Sequence, residues 1–285
     1  MKTAQEKKLW VIVLAALALC LAPVIGQGQQ NPPSVPPGQS APPAKPAPSS
    51  DAPTPPPINP EEETAYKAMF DLKGSEFQRQ IQLGEDFLKK YPASRYAESV
   101  YSRLASAYLA AGDVDKMFAA GEKALELKPD DVDVLALMAL VMPRRLNTSA
   151  LDAAQRLDRA EKYARQGIEL LATLPKPATL TDADFARAKN DKLSMCHSGL
   201  GFIHFYRQKY ADSASELEQA AKLSSAPDPV DFFLLGTVLH QMKRYNDAVS
   251  AYGHCSELGG PMQARCKQAQ DAAKKLAATE LTTPK

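Results

Sequence analysis

From Glu61 onward, large apolar residues recur at i, i+3, i+4 and i+7, and the stretch YSRLASAYLAAGDVDKMFAAGEKALELKP (101–129) shows the pattern in full. That spacing makes the one-sided stripe of an amphipathic helix. It breaks at Gly112-Asp113 and ends at Pro129, so the stretch predicts two helices joined by a tight turn. Ala105, Gly112 and Ala124 sit at regular places among the larger residues. Side chains that small predict seams where neighbouring helices approach closely.

The layout returns further along. Phe232, Leu235, Gly236, Leu239, Tyr245, Ala248, Tyr252 and Cys255 fall on the same template. So do His197, Leu200, Gly201, His204, Tyr210, Ser213, Leu217 and Ala220. Leu104 to Met138 spans 34 residues, and Leu200 to Leu235 spans 35. Two weaker copies complete the series. One covers 61–92, ends at Pro92 and lacks the Leu-Gly pair; the other starts near Val132 and carries Met138-Ala139 instead. This second copy is interrupted by about nine residues, Pro143 and RRLNTSA among them, before the helix LDRAEKYARQGIELL. A Thr-x-x-Asp signal at Thr181 predicts a long helix at about Asp184–Arg207. The segment 262–278 is polar on one side, as a terminal capping helix must be. The glutamates of PEEE (60–63) suit a helix N-terminus, where acidic side chains complement the dipole.

The chain before residue 61 reads differently. Lys2, Lys7 and Lys8 precede an uncharged run from Leu9 to Ile25. A basic start followed by a short apolar run predicts a secretory signal over 1–26, with cleavage after Gly26. Two alternatives stay open: an uncleaved membrane anchor formed by 9–25, and lipidation at Cys20, where Leu19 departs from the small residue a lipobox requires. The segment 27–60 predicts a disordered, extended linker, because Asn31 to Pro60 holds 13 of the 23 prolines. A spacer role fits it better than that of a ligand for an SH3- or WW-type groove. Residues 280–285 read as a disordered tail.

The aromatic, Leu-Gly, Tyr, turn and Ala-x3-aromatic series ending in Pro resembles the tetratricopeptide repeat, a 34-residue antiparallel helix pair, in its exported bacterial form. The resemblance covers roughly 61–279, with three recognisable repeats. It implies an all-α fold: a right-handed α-solenoid of about five helix pairs plus a C-terminal capping helix. Repeats of this kind bury their faces only against neighbours.

The remaining chemistry is sparse. The net charge is +1, with 24% charged residues, which gives no global argument for nucleic acid. Phosphate-binding glycine loops, HExxH, GxSxG and paired CxxC are absent from the sequence. No cofactor or metal is expected, and His197 and His204 fall on the family's aromatic positions, as core histidines. Cys255 and Cys266 flank a Gly-Gly-Pro turn, where two readings stay open: a disulfide, or two small residues at a helix seam. Cys196 is left as an unpaired, buried thiol.

The resemblance implies that the first helix of each pair lines a concave groove. Carrying the family's groove positions onto this sequence gives Ser99, Ser102, Ser106 and Leu109, then Ala136, Leu140 and Arg144, with Arg145 beside it. The fourth pair gives Met195, Ser198, Phe202, Phe205 and Tyr206, and the fifth Phe233, Thr237, His240 and Gln241. Aromatic residues with arginine are what protein-binding hot spots use. For Phe202 and Phe205 a packing role is equally open. Ser102 and Ser106 stand where the family's carboxylate clamp has Lys and Asn, which argues against a chaperone C-terminus as ligand. The expected function is non-enzymatic protein or peptide binding in the cell envelope or periplasm, with membrane contact only through an uncleaved N-terminal segment. The alternatives are an envelope-assembly or cell-division scaffold, for which YPASRYA (91–97) has family-like spacing, and, far behind, a hydrolase using His254 or Cys196.

Overall fold

A computed structural model describes residues 59–282. The predicted signal or anchor (1–26) and nearly all of the predicted proline-rich linker (27–60) lie outside the described residues. Among the described residues there are eleven α-helices, two single 3-10 turns and no strand. The helices stack as five pairs: α1 (Pro60–Phe70) with α2 (Phe77–Lys90), α3 (Ala97–Ala111) with α4 (Val114–Leu127), α5 (Val132–Arg144) with α6 (Ala153–Thr173), α7 (Asp182–Tyr206) with α8 (Tyr210–Leu223), and α9 (Pro229–Gln241) with α10 (Tyr245–Glu257). A terminal helix, α11 (Gln263–Thr282), closes the right-handed α-solenoid.

Local chemistry sets where the helices begin. The side chains of Asn59, Asp113, Asp131, Thr181 and Asp228 each accept a hydrogen bond from a backbone N–H of the following first turn. Glu61, Glu62 and Glu63 occupy the first turn of α1, where the helix dipole favours them.

Three pairs share one turn. Gly112, Gln208 and Lys243 have φ of +79°, +59° and +60°. In each case the next N–H reaches a carbonyl five residues back: Asp113 to Tyr108, Lys209 to His204, and Arg244 to Leu239, all at 2.9 Å. This corrects the expectation for Gly112. A Cβ there would meet nothing within 4 Å, so this glycine serves the left-handed turn and not a packing seam. Ala105 and Ala124 do lie fully buried at seams. Closer approaches occur in the second helices, where a Cβ on Gly84 would fall 2.8 Å from Leu104 and one on Gly121 2.7 Å from Met138 of the following pair.

The third pair departs from its predicted layout. Pro143 is not in the insertion but inside the last turn of α5, which runs on to Arg144. Pro143 removes the N–H that would bond the carbonyl of Ala139. That carbonyl lies at the tightest approach among the described glycines: a Cβ on Gly199 of α7 would sit 2.2 Å from it. The crossing brings α5 and α7 almost backbone to backbone and puts Ser198 beside the end of α5.

The buried apolar residues form two clusters. One runs from Met69 of α1 to Ile203 of α7, and the other from Ala214 of α8 to Ala273 of α11. Cys255 and Cys266, both without solvent exposure, are bonded, with Cα atoms 5.7 Å apart. They pin α11 to α10. Closing a loop of this length stabilises by about 3 kcal/mol in the chain-entropy account. Replacing both cysteines by serine should therefore lower the stability of the C-terminal end by about 2–3 kcal/mol. Hydrogen exchange in α11 should quicken while that of α3 to α5 stays unchanged, because repeats couple mainly to neighbours. Unaltered exchange in α11 would mean that packing alone holds it.

Candidate functional site

The last residue of α5 organises the site. Arg144 reaches away from its own pair to the first helices of the next two. Its Nη1 meets Asp228 Oδ2 at 2.6 Å, and its Nη2 meets Asp231 Oδ1 at 2.5 Å and Ser198 Oγ at 2.8 Å. Ser198 also donates to Asp231 Oδ1 at 2.7 Å. The guanidinium lies over the ring of Phe202, 5.1 Å from its centroid. Arg144 and Asp231 have side chains only 14% and 8% exposed, so the pair is largely withdrawn from water. Burial pushes the carboxyl of Asp231 above the usual carboxylate range, against the pull of Arg144, while Asp228 and Asp231 together keep Arg144 charged. Arg144 Nε is buried without an acceptor.

Asp228 has a second task. Its Oδ1 accepts from the N–H of Val230 at 2.9 Å and so caps α9, while its Oδ2 holds Arg144. The network therefore ties the end of α5, the middle of α7 and the start of α9. It bridges the two apolar clusters. A neighbouring pair, buried Lys192 of α7 with half-buried Asp133 of α5 at 3.0 Å, clamps the same two helices further along.

The other groove candidates separate into groups. Leu109 (7% exposed) and Ala136 (0%) are core residues, not groove residues. Phe202 and Phe205 are half-buried and pack against the C-terminal cluster; Tyr206 is half-buried against the N-terminal one. Phe205 bridges Tyr206 at 5.7 Å and Tyr210 at 6.3 Å between ring centroids. Phe233 packs against the same C-terminal cluster from α9, with Tyr252 5.5 Å from it and Arg265 of α11 over it at 4.5 Å. His240 meets Tyr245 edge-on at 5.5 Å. Arg145 and Gln241 are exposed. The structure thus brings together Arg144, Ser198 and Phe202, and separately Phe205 with Tyr206, but places Phe233 and His240 apart from both.

Histidines and cysteines have structural settings. His204 is buried, while His197, half-buried, bonds Glu216 Oε2 through Nδ1 at 2.6 Å. His254 is exposed beside Glu257, 3.4 Å away. Cys196 is fully buried and its thiol is pushed up to about 12, so it is no thiolate nucleophile at neutral pH. Among the described residues no group of three or more His, Cys, Asp or Glu is arranged to hold a metal ion, and no helix is long and apolar enough to cross a membrane.

Sequence reasoning missed Asp228, Asp231, Lys192 and Arg265. Asp228 ahead of Pro229 carried a helix-start signal that could have been read. The pairing of Asp231 with Arg144 had none, since the two are 87 residues apart.

A family model described as tetratricopeptide repeat matches residues 98–131, which covers α3, α4 and the turn that follows. Comparison with curated proteins finds no match. Among solved structures, the chain is similar to a thermophilic tetratricopeptide-repeat protein from Thermus thermophilus, at 17% identity and TM-score 0.42, over 74% of this chain and 98% of that one. It is also similar to the assembly chaperone of RpL4, Acl4, at 10% identity and TM-score 0.46, over 78% of this chain and 98% of that one. A tetratricopeptide repeat protein from Parabacteroides merdae aligns at 14% identity and TM-score 0.40, over 76% and 86%. Residues 98–131 match the tetratricopeptide-repeat model, and they lie within an all-α solenoid of five stacked helix pairs.

Proposed function

We propose that the protein is a non-enzymatic scaffold that binds a protein or peptide partner along the face formed by the first helices of its pairs, the concave face in solenoids of this kind. The observation that carries this reading is the set of half-buried aromatics on α7, Phe202, Phe205 and Tyr206, with Arg144 lying over Phe202 and Phe205 against Tyr206. Aromatic side chains fixed in place but partly open are what interface anchors require. Arg144 supports Phe202 and is itself engaged by Asp228 and Asp231.

The basic and apolar N-terminal sequence supports export to the cell envelope, with the proline-rich segment as a spacer. A scaffold for envelope assembly or cell division is the second reading, favoured by the family-like spacing at Tyr91, Ser94 and Tyr96. In the fold that stretch works structurally: Ser94 bonds Glu62, Tyr96 bonds Glu63, and Tyr96 stacks on Tyr66 at 4.2 Å.

The test is photo-crosslinking in cells, with a benzoylphenylalanine placed at Tyr206, Arg145 or Gln241 and, as a control, at Lys123 on the exposed side of α4. Discrete adducts are expected from the first three positions and not from Lys123. Adducts of equal strength from Lys123 would move binding off the first-helix face.

A further inference from the structure

Phe202, Phe205 and Tyr206 stand at i, i+3 and i+4 on α7, so they share one face of that helix. Each is half-buried, Phe202 and Phe205 against the C-terminal cluster and Tyr206 against the N-terminal one. The open part of this aromatic strip therefore spans the seam between the two clusters. Among the described residues Tyr206 Oη makes no hydrogen bond, and it is not sealed from solvent. An unspent phenol donor beside two phenyl rings suits a ligand that brings carbonyl acceptors and apolar rings together.

A proline-rich chain is such a ligand. Proline has no N–H, its φ is fixed in advance, and proline-rich segments dock in aromatic-lined grooves. This chain carries such a segment of its own. Residues 31–58 precede the first described residue, Asn59, and hold twelve prolines, with Lys45 and Asp51 as the only charged side chains.

Reach decides which part of it meets the strip. The described chain starts at the N-terminus of α1, a first helix, on the same edge of the solenoid as the N-terminus of α7. α7 lies three pairs along, ~30 Å away at ~10 Å per stacked helix. The aromatic strip sits near the far end of α7, up to ~36 Å from its start at ~1.5 Å per residue. The diagonal is about 50 Å, which an extended proline-rich chain covers in roughly 16 residues at ~3.1 Å each. Counted back from Asn59, that span uses about 43–58, both charged residues included. It leaves the uncharged stretch NPPSVPPGQSAP (31–42) to lie on the rings.

We propose that residues 31–42 dock on Phe202, Phe205 and Tyr206 of the same molecule, so that a partner must displace them. The part played by the partner rests on the protein-binding reading above; the docking itself does not. The segment is a tethered ligand until a partner takes its place, and a spacer afterwards. Tethering supplies the occupancy, since on a linker of this length even a weakly binding motif stands at an effective concentration of the order of 1 mM.

The experiment follows the fluorescence anisotropy of a labelled synthetic peptide, residues 31–42, added to two forms of the full chain. One is wild type. In the other, Pro32, Pro33, Pro36 and Pro37 are all changed to serine, which empties the strip without altering any described residue. Saturable binding to the substituted chain is expected, with binding to wild type about tenfold weaker because the tethered segment competes. Tyr206→Phe in the substituted chain should weaken the peptide about fivefold, by loss of one hydrogen bond. Phe205→Leu, which keeps an apolar side chain there, should cost a similar factor through lost ring contact. Failure of the peptide to bind the substituted chain, or binding indifferent to both α7 substitutions, would overturn the proposal. Equal affinity for the two forms would also overturn it, because the strip would then stand open in wild type for a second copy or a foreign chain. Partner crosslinks retained at Tyr206 without peptide binding would remove the tethered ligand alone, whereas loss of both would remove the scaffold reading as well.

Discussion

Gly199→Ala is expected to destabilise the protein by about 3 kcal/mol or more, the upper part of the range for overpacking. The added methyl would sit 2.2 Å from the carbonyl oxygen of Ala139 and 2.8 Å from its carbonyl carbon. Those are backbone atoms, so no side chain can rotate away. Relief requires α5 and α7 to separate, which loosens the buried cluster to which both helices contribute, Leu135 and Leu200 among its members. It also draws Ser198 away from Arg144. The check is urea unfolding followed by circular dichroism, with Gly112→Ala as the comparison. At Gly112 the methyl meets no neighbour and only the left-handed turn is penalised, about 1 kcal/mol. A Gly199→Ala cost no greater than that of Gly112→Ala would show that the crossing yields, and that the two backbones are not in obligatory contact.

The contrast between these glycines shows what could be read from the chain and what could not. Leu200-Gly201 and Leu235-Gly236 announced helix pairs because the repeat places the same side chains at the same offsets, and periodicity is a local property. The joint between pairs is not local. Gly199 stands beside the motif glycine Gly201 and makes the tighter contact, because its neighbour is the backbone of Ala139 in another helix pair. Similarly, Gly112 looked like its neighbours in the seam, although Gln208 and Lys243 show that the position demands a turn conformation that two other residues also adopt. The groove residues were legible as a face and not as a site. Family positions name Arg144, but its partners come from two other pairs, and nothing near residue 144 foretells a carboxylate at 231. Charges placed by tertiary contact leave no trace in a window of sequence.

That dependence makes Arg144→Met the second large effect. Removing the cation leaves Asp228 and Asp231 facing one another, one of them buried, and breaking such a pair from one side costs about 3–5 kcal/mol. The loss should fall on the joint between the two apolar clusters, so that α8 to α11 unfold at lower denaturant than α1 to α7 and the transition splits. Acid should narrow the deficit. The carboxyl of Asp231 is already raised above its ordinary value by burial, and loss of Arg144 raises it further by removing the opposing attraction. A carboxyl whose folded pKa exceeds its unfolded one binds protons more readily in the folded state. It therefore costs stability as pH rises through that window and returns it as pH falls towards the ordinary carboxylate range. The variant should consequently gain on wild type between neutral pH and about pH 5. Arg144→Met combined with Asp231→Asn should recover much of the loss at neutral pH without acid, because the buried charge is gone. A single, unsplit transition within about 1 kcal/mol of wild type would mean that packing between α7 and α8 already joins the two clusters, and that the ion network is incidental to the solenoid.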